Sequence, residues 1–432
     1  MYDRQTTLMT IDANGPVTER DRAILRRLAG RIAEIADDPL MEERRRLWKK
    51  LNALQAERPM VLTETFPVAK DGDEMAEVMP EECEGEWARA VERALRDKIL
   101  HFEFVQDDAV VEPRITYQTV VESTGYGAEE TYHYGVSDYG RGSYVWDPPV
   151  KHLPDDVGRL KLRSYRLDAE ATARTRKRLE HVFGGILPVV NRNNFWWTQG
   201  MTWTAIRLAG LERFMLAMHD RPEGVHALMA FLRDDHLQTL DWHESEELLT
   251  PNNEDDYVGS GGGAYTDLLP QPDYVPGRPA RLKDLWGLSE SQETVGVSPD
   301  MFAEFIFPYQ LPVIDRFGFA CYGCCEPIDK RWHYVQQIPN LRRVSVSPWS
   351  DVNAMAERMG ADYVFSRKPS PALVSAGWDE HLIRADLRET VSATRGMNLE
   401  VVLKDVHTVC GEPWRFRRWV ELAREAVNEI WR

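Results

Sequence analysis

Cysteine is scarce in this chain, with five among 432 residues. The number is odd and four of the five lie between Cys321 and Cys410, which excludes the disulfide framework of a small secreted domain and leaves the thiols available in a reducing compartment. Long apolar runs are also missing. None reaches the roughly 18 residues that a membrane span needs, and Met1-Tyr-Asp-Arg-Gln5 lacks the apolar core of a secretion signal, so the expected location is the cytoplasm. Basic charge is in short supply: 53 Lys and Arg stand against 70 Asp and Glu, a formal net charge of -17. That balance repels nucleic acid and anionic membranes, and short Arg/Lys runs inside helices do not offset it. The glycine run Gly259-Ser-Gly-Gly-Gly263 lacks the Lys-Ser/Thr of a phosphate loop, so nothing marks a nucleotide site.

The apolar fraction of 43% supports a large core, and the length suits either several average domains or one α/β barrel with insertions. Thr18 is placed to cap a helix that carries Ile24, Leu25, Leu28, Ile32 and Ile35 about one turn apart; after Asp38-Pro39 a second amphipathic helix runs from Met41 to Ala56. These form an N-terminal helical extension over 1–57. Met60-Val-Leu-Thr-Glu64 then reads as a short buried strand whose end carries a carboxylate, functional or merely solvated. From 66 to 150 the chain is irregular, with one clear helix at 86–100 and glycine- and tyrosine-rich pieces such as Gly125-Tyr-Gly127 and Tyr139-Gly-Arg-Gly142; it is an excursion over a pocket. A helix at 169–183 precedes a strand at 184–191, and Arg192-Asn-Asn-Phe-Trp-Trp197 follows as either an aromatic ligand wall or a core plug. After helices at 211–218 and 223–240, His243, Glu244, Glu246 and Glu247 spread over different helical faces and read as a solvated acidic face. The stretch 250–280, rich in Gly, Asp and Pro, is expected to be a long loop of the kind that forms a lid.

From 285 onward strands and helices alternate with no hairpin signal. Strands fall at 285–290, 318–322, 342–347, 363–366 and 399–404, separated by helices at 299–316, 328–338, 351–359 and 381–395, and a closing helix covers 413–431. Such alternation predicts a parallel sheet, and with the strands near 60 and 187 a closed (β/α)8 TIM-type barrel over 58–432 is the most economical fold.

In a barrel the residues after each strand build the active site, and here they are polar almost every time. Gly318-Phe-Ala-Cys-Tyr-Gly-Cys-Cys-Glu-Pro327 puts three cysteines at one strand end. Cys324 and/or Cys325, with His407 from the last strand end and Glu290 facing them, fit a zinc site; zinc with an open position acts as a Lewis acid or holds a substrate sulfur as thiolate. Cys321 and Cys324 match redox C-x-x-C spacing, but Cys321 lies within the strand rather than opening a helix. Arg367 and Lys368, with Lys404 and Asp405, put cations at neighbouring strand ends, either for a substrate carboxylate or as buried ion pairs.

Arg58-Pro59, Leu285-Trp-Gly-Leu-Ser-Glu-Ser-Gln-Glu293, Ser298-Pro-Asp-Met-Phe-Ala-Glu-Phe305 with Pro308-Tyr309, Tyr322-Gly-Cys-Cys-Glu-Pro327, Pro339-Asn-Leu-Arg-Arg343 and Lys404-Asp-Val-His407 resemble the uroporphyrinogen decarboxylase superfamily. The likeness is closest to its decarboxylase-like proteins grouped with corrinoid-linked and cobalamin-independent methyltransferases. It implies a (β/α)8 barrel with the active site in its mouth. In those methyltransferases a His-x-Cys pair and a later cysteine hold zinc. Here Tyr322-Gly-Cys324 or Gly323-Cys-Cys325 takes the pair's place, and His407 falls where the late ligand is expected. The arginine-rich motif of the true decarboxylases is not found near the first strand. The resulting expectation is a zinc-dependent methyltransferase moving a methyl group between a small methylated compound or methyl-corrinoid and an acceptor. Glu326, Lys404 and Asp405 are its catalytic candidates. Glu64, Asn194, Trp197, Gln292, Tyr322, Arg367 and Lys368 are its substrate contacts, and Glu290, Cys324, Cys325 and His407 its metal ligands. A corrinoid-carrying protein is an expected partner, and the helical arm offers a surface for a homodimer. Two other readings stand beside it: a metal-free lyase that holds carboxylates with Arg367, Lys368 and Lys404, and a non-catalytic ligand- or corrinoid-partner-binding protein.

Overall fold

The structure is a computed structural model that describes residues 16–65, 73–135 and 144–431; the Tyr139–Gly142 segment and the first residues lie outside them. Its strands, in chain order, are β1 (Met60–Thr63), β2 (Ile115–Tyr117), β3 (Val121–Ser123), β4 (Thr131–Tyr134), β5 (Tyr144–Asp147), β6 (Tyr165–Leu167) and β7 (Val189–Asn191). They continue with β8 (Tyr257–Val258), β9 (Gly262–Gly263), β10 (Trp286–Ser289), β11 (Phe319–Tyr322), β12 (Leu341–Val346), β13 (Val364–Arg367) and β14 (Asn398–Leu403). Six of these form one parallel sheet in the order β1-β14-β13-β12-β11-β10, so the first strand of the chain lies beside the last. The residues of β10, β13 and β14 are buried throughout, the pattern of strands covered on both faces by crossover helices. The fold is therefore α/β around a parallel sheet, as the alternation predicts.

Outside this sheet β2 pairs with β7 in parallel. Asp108 N donates to Val61 O at 2.8 Å and Gln199 N to Leu288 O at 2.6 Å, so segments flanking the β2–β7 pair reach both outer strands of the sheet. Antiparallel pairing also occurs, between β3 and β6, β4 and β5, and β8 and β9. These ribbons lie in the stretches 66–167 and 250–280, which carry no clean period-2 alternation.

Two amphipathic helices open the described chain. Thr18 caps Glu19–Ala36 by accepting from Asp21 N at 3.0 Å, and Asp38 caps Pro39–Asn52. The first buries Ile24, Leu25, Leu28, Ile32 and Ile35 in a satellite core with the helices Glu86–Leu100 and Ala169–Phe183. The second brings Trp48 against Met60 and Val364, at the starts of β1 and β13, and so covers the end of the sheet away from the polar strand ends. The expected 299–316 helix is broken into Pro299–Phe305 and Phe307–Ile314, because Pro308 cannot donate in mid-helix. The 328–338 helix shrinks to Trp332–Val335. His243 is a correction too: it is buried, lies tilted against Phe195 at 4.4 Å between ring centres and contacts Trp196, Tyr165 and Trp242, while Glu246 and Glu247 stay exposed.

Candidate active site at the strand ends

After β11 the backbone turns at Gly323, whose φ is +93°, and the turn separates two neighbouring thiols: Cys324 is buried and Cys325 exposed. Glu326 holds this turn. Its carboxylate accepts from Ser291 N at 2.8 Å and Cys324 N at 2.9 Å, tying the β10 and β11 ends together. Burial pushes its carboxyl above the ordinary value, and those backbone N–H groups oppose the shift. Glu326, a catalytic candidate from its place in the sequence, thus anchors the turn. The sulfurs of Cys324 and Cys325 lie 3.6 Å apart. The hydrogen bond to Cys325, together with burial, drives the Cys324 thiol up, and the same bond draws the Cys325 thiol down.

Lys404, just beyond β14, is the hub of the site. Its Nζ donates to Ser260 Oγ at 3.0 Å and Tyr257 Oη at 3.4 Å. Ser260 Oγ in turn donates to Cys324 Sγ at 3.4 Å, and Tyr257 Oη to Glu64 Oε1 at 2.9 Å. Burial opposes the Lys404 charge, but Tyr257, Glu64, Cys324 and Asp405 around it outweigh burial and hold its pKa well above the ordinary lysine value. Asp405 is exposed, 4.0 Å from the ammonium.

The two new partners come from the β8–β9 hairpin, the stretch expected to be an outer lid. It is instead threaded inside, with 258–262 buried. A Cβ on Gly261 would come within 2.9 Å of Glu64 Oε1 and 3.2 Å of Val402, and one on Gly262 within 2.6 Å of Arg343 Cζ and Glu400 Oε1. Glycine is required there because the hairpin backbone takes up the space side chains would fill. Touching β12, β14 and the end of β1 at once, the hairpin is wrapped by the sheet. Beneath it Arg343 Nε lies 3.2 Å from Glu400 Oε1 without an aligned hydrogen bond. Arg343 also donates to Asn52 Oδ1 and Gly263 O, both at 2.8 Å.

Lys368, after β13, donates to Ser366 Oγ and to Ser366 O. Burial lowers its pKa to about 8, with Lys404 and Arg343 assisting and Glu400 opposing. Glu290, after β10, is fully buried. Burial first, then the charges of Glu293 and Glu326, raise its carboxyl well above the ordinary value. Its Oε2 accepts from Gln292 N at 3.0 Å, while Oε1 has no hydrogen-bond partner among the described residues and lies against Gly200.

The structure therefore gathers Glu64, Cys324, Cys325, Lys404, Asp405 and, by its electrostatic coupling, Lys368. Others are elsewhere. Tyr322 is fully buried and donates to Gln310 Oε1 at 3.0 Å and Ser291 Oγ at 3.3 Å; its ring lies in the layer between sheet and helix, which corrects the expected substrate contact. Arg367 is corrected likewise, since it donates to Ser347 O at 2.7 Å and Asp386 Oδ1 at 3.0 Å on the helix side of β13. Strand alternation sends Arg367 outward and lets Lys368, one residue on, turn in. Asn194 N approaches Gln118 Oε1 at 3.4 Å, next to the Asn191–Asn193 pair. Trp197 packs against the cluster of Val258, Trp286 and Leu288, and Gln292 lies in the short turn 292–294. His407 is exposed. Tyr257 and Ser260 were absent from the strand-end candidates because they sit on no core strand; a Tyr and a Ser flanking and interrupting a glycine run were their only signal.

Two thiolates on one tetrahedral zinc, with Zn–S near 2.3 Å, stand about 3.8 Å apart, so the 3.6 Å sulfur pair has a metal's bite. Yet among the described residues no three His, Cys, Asp or Glu side chains are gathered to hold a metal. Glu290 is turned in against Gly200 and His407 is exposed, so the residues as placed do not make the expected zinc shell.

No protein-family model and no curated protein matches the chain. Among solved structures it is similar to a methyltransferase from Methanosarcina mazei, at 13% identity and a TM-score of 0.47, over 89% of this chain and 97% of that one. Among the described residues no helix is long and apolar enough to cross a membrane.

Proposed function

We propose that the strand-end mouth is the active site of an enzyme that transfers a methyl group between a small methylated compound, or a methyl-corrinoid carried by a partner protein, and an acceptor. Its scaffold in this reading is a closed (β/α)8 barrel over 58–432, in which the β2–β7 pair bridges β1 and β10. The observation that carries the reading is the sulfur pair at the end of β11 with a buried ammonium behind it. Methyl transfer is a displacement at a soft carbon, and sulfur is the soft nucleophile among side chains. Cys325 presents that sulfur to solvent, and the Lys404 ammonium lies near enough to favour its ionised form.

The test follows a labelled methyl group from methylcobalamin, methylamines and methylated thiols to a thiol acceptor, with metal content measured alongside. Transfer that falls by about 100-fold or more in Cys325→Ala is expected; transfer unchanged in both Cys324→Ala and Cys325→Ala refutes the reading. One observation favours the lyase as a second reading. Lys368 is buried, and among the described residues it makes no ion pair with a carboxylate, so it is open to a substrate carboxylate. That reading requires activity that survives Cys325→Ala and is lost in Lys368→Met.

A further inference from the structure

The ribbon of β4 and β5 carries its aromatic residues on one face. Tyr132 pairs across it with Trp146, and Tyr134 with Tyr144. Because side chains alternate along a strand, all four rings stand on the same side, with neighbouring centres 5.6 to 6.3 Å apart. The helix Thr202–Ala209 covers the inner end of that face. Trp203 lies 6.4 Å from Trp146 between ring centres, Trp146 Nε1 donates to Arg207 O at 2.9 Å, and Arg207 holds Glu130 through two hydrogen bonds. Toward the outer end the cover stops. Tyr134 is 75% exposed, Tyr144 43% and Trp203 39%, which leaves roughly 400 Å² of aromatic surface in water, the size at which an apolar patch marks an interaction site. A two-stranded ribbon is marginal unless something packs on its apolar face. Among the described residues the ring of Tyr134 meets only those of Tyr132 and Tyr144.

We infer that this face is the contact between two copies of the chain, each seating its Tyr134–Tyr144 end on the other's about a two-fold axis. Charge chooses a second copy over a different partner. The only charged residue within the two strands is Asp147, and it is paired with Lys151; Glu130, at the base of the ribbon, is paired with Arg207. The strands therefore present no unpaired charge that would select a partner of opposite sign. Each copy carries a net charge of -17, so two copies meet at least cost over neutral ground. Offset and tilted ring pairs are self-complementary, as a two-fold contact requires, and an aromatic centre within a rim of charges is the composition of protein interfaces. The N-terminal helices offer no rival face, since both bury their apolar sides within the chain. The exposed aromatic area is about half of the ~800 Å² that one partner gives to a standard interface, so the association is micromolar. The inference stands apart from the methyl-transfer reading.

Native full-length protein is followed by sedimentation velocity from about 0.5 to 100 µM, where a dimer with a Kd of about 1–50 µM is expected. Tyr134→Glu, at a position that a single copy leaves in water, brings two carboxylates together at the axis and should weaken association by about 30-fold or more. Tyr134→Ala adds no charge and should weaken it by about five-fold or more. Val145→Glu is the control: Val145 is 65% exposed on the opposite face of the same ribbon, and its dimer should stay within about three-fold of the wild type. Urea midpoints that match the wild type show that the variants fold. Protein that remains monomeric at 100 µM overturns the inference, as does a dimer that is indifferent to both Tyr134 variants or is weakened as much by Val145→Glu as by Tyr134→Glu.

Discussion

His236 makes the stability of this protein depend on acid in a way that can be worked out from its surroundings. It lies on the helix Pro222–Ser245, is buried, and pairs Nδ1 with Gln199 Oε1 at 2.8 Å. An amide oxygen only accepts, so Nδ1 carries the hydrogen and the ring is satisfied while neutral. Burial, aided by the charge of Arg163 and opposed by Asp235, lowers its pKa to about 4. In the unfolded chain the value returns to about 6.5. The folded-state pKa is the lower one, so stability is fully present above pH 6.5 and is lost as pH falls toward 4, where the unfolded chain takes up the proton first. A difference of about 2.5 pH units corresponds to roughly 3.4 kcal/mol once both states are protonated, of which about 2 kcal/mol is gone by pH 5. The perturbation is His236→Asn, which keeps an N–H near the Nδ1 position and removes the titration. Urea unfolding of wild type and variant at pH 7.5, 6 and 5 measures the effect. The wild type should lose about 2 kcal/mol more than the variant between pH 7.5 and 5; parallel losses within about 0.5 kcal/mol would refute the reasoning.

Gly262→Ala places a methyl 2.6 Å from Arg343 Cζ and Glu400 Oε1, and melting should show a loss of about 1–3 kcal/mol with the hairpin displaced from Lys404. Tyr322→Phe strands the hydrogen-bonding partners Gln310 and Ser291; it should cost about 1–2 kcal/mol in denaturant titration yet leave any substrate KM unchanged. Chelator treatment should leave the melting temperature where it was, because the thiol turn is held by Glu326 and backbone N–H groups; a fall on chelation would show that a metal supports the turn.

The strand ends were legible because β10 to β14 are short strands rich in buried apolar residues, each soon followed by a polar one, and a parallel sheet covered on both faces writes that pattern directly. The capped N-terminal helices were legible for a similar reason: Thr18 and Asp38 act on backbone N–H groups two or three residues away. Which way a strand-end side chain points is a matter of register, and that separated Arg367, turned to Asp386, from Lys368, turned inward. That Glu326 binds two backbone amides was likewise visible only in the fold.

The sequence by itself determined the α/β alternation, the parallel core strands and the clustering of thiols, carboxylates and cations at their ends, because these depend on local periodicity and on residue order along the chain. Only the tertiary structure decided that the glycine-rich stretch enters the interior, that Ser260 and Tyr257 join Lys404, and that Cys325 and not Cys324 faces solvent. Those facts depend on contacts between segments about 60 to 190 residues apart, such as Ser260 with Cys324 and Tyr257 with Glu64, whose closeness is set by strand register and packing rather than by any local pattern.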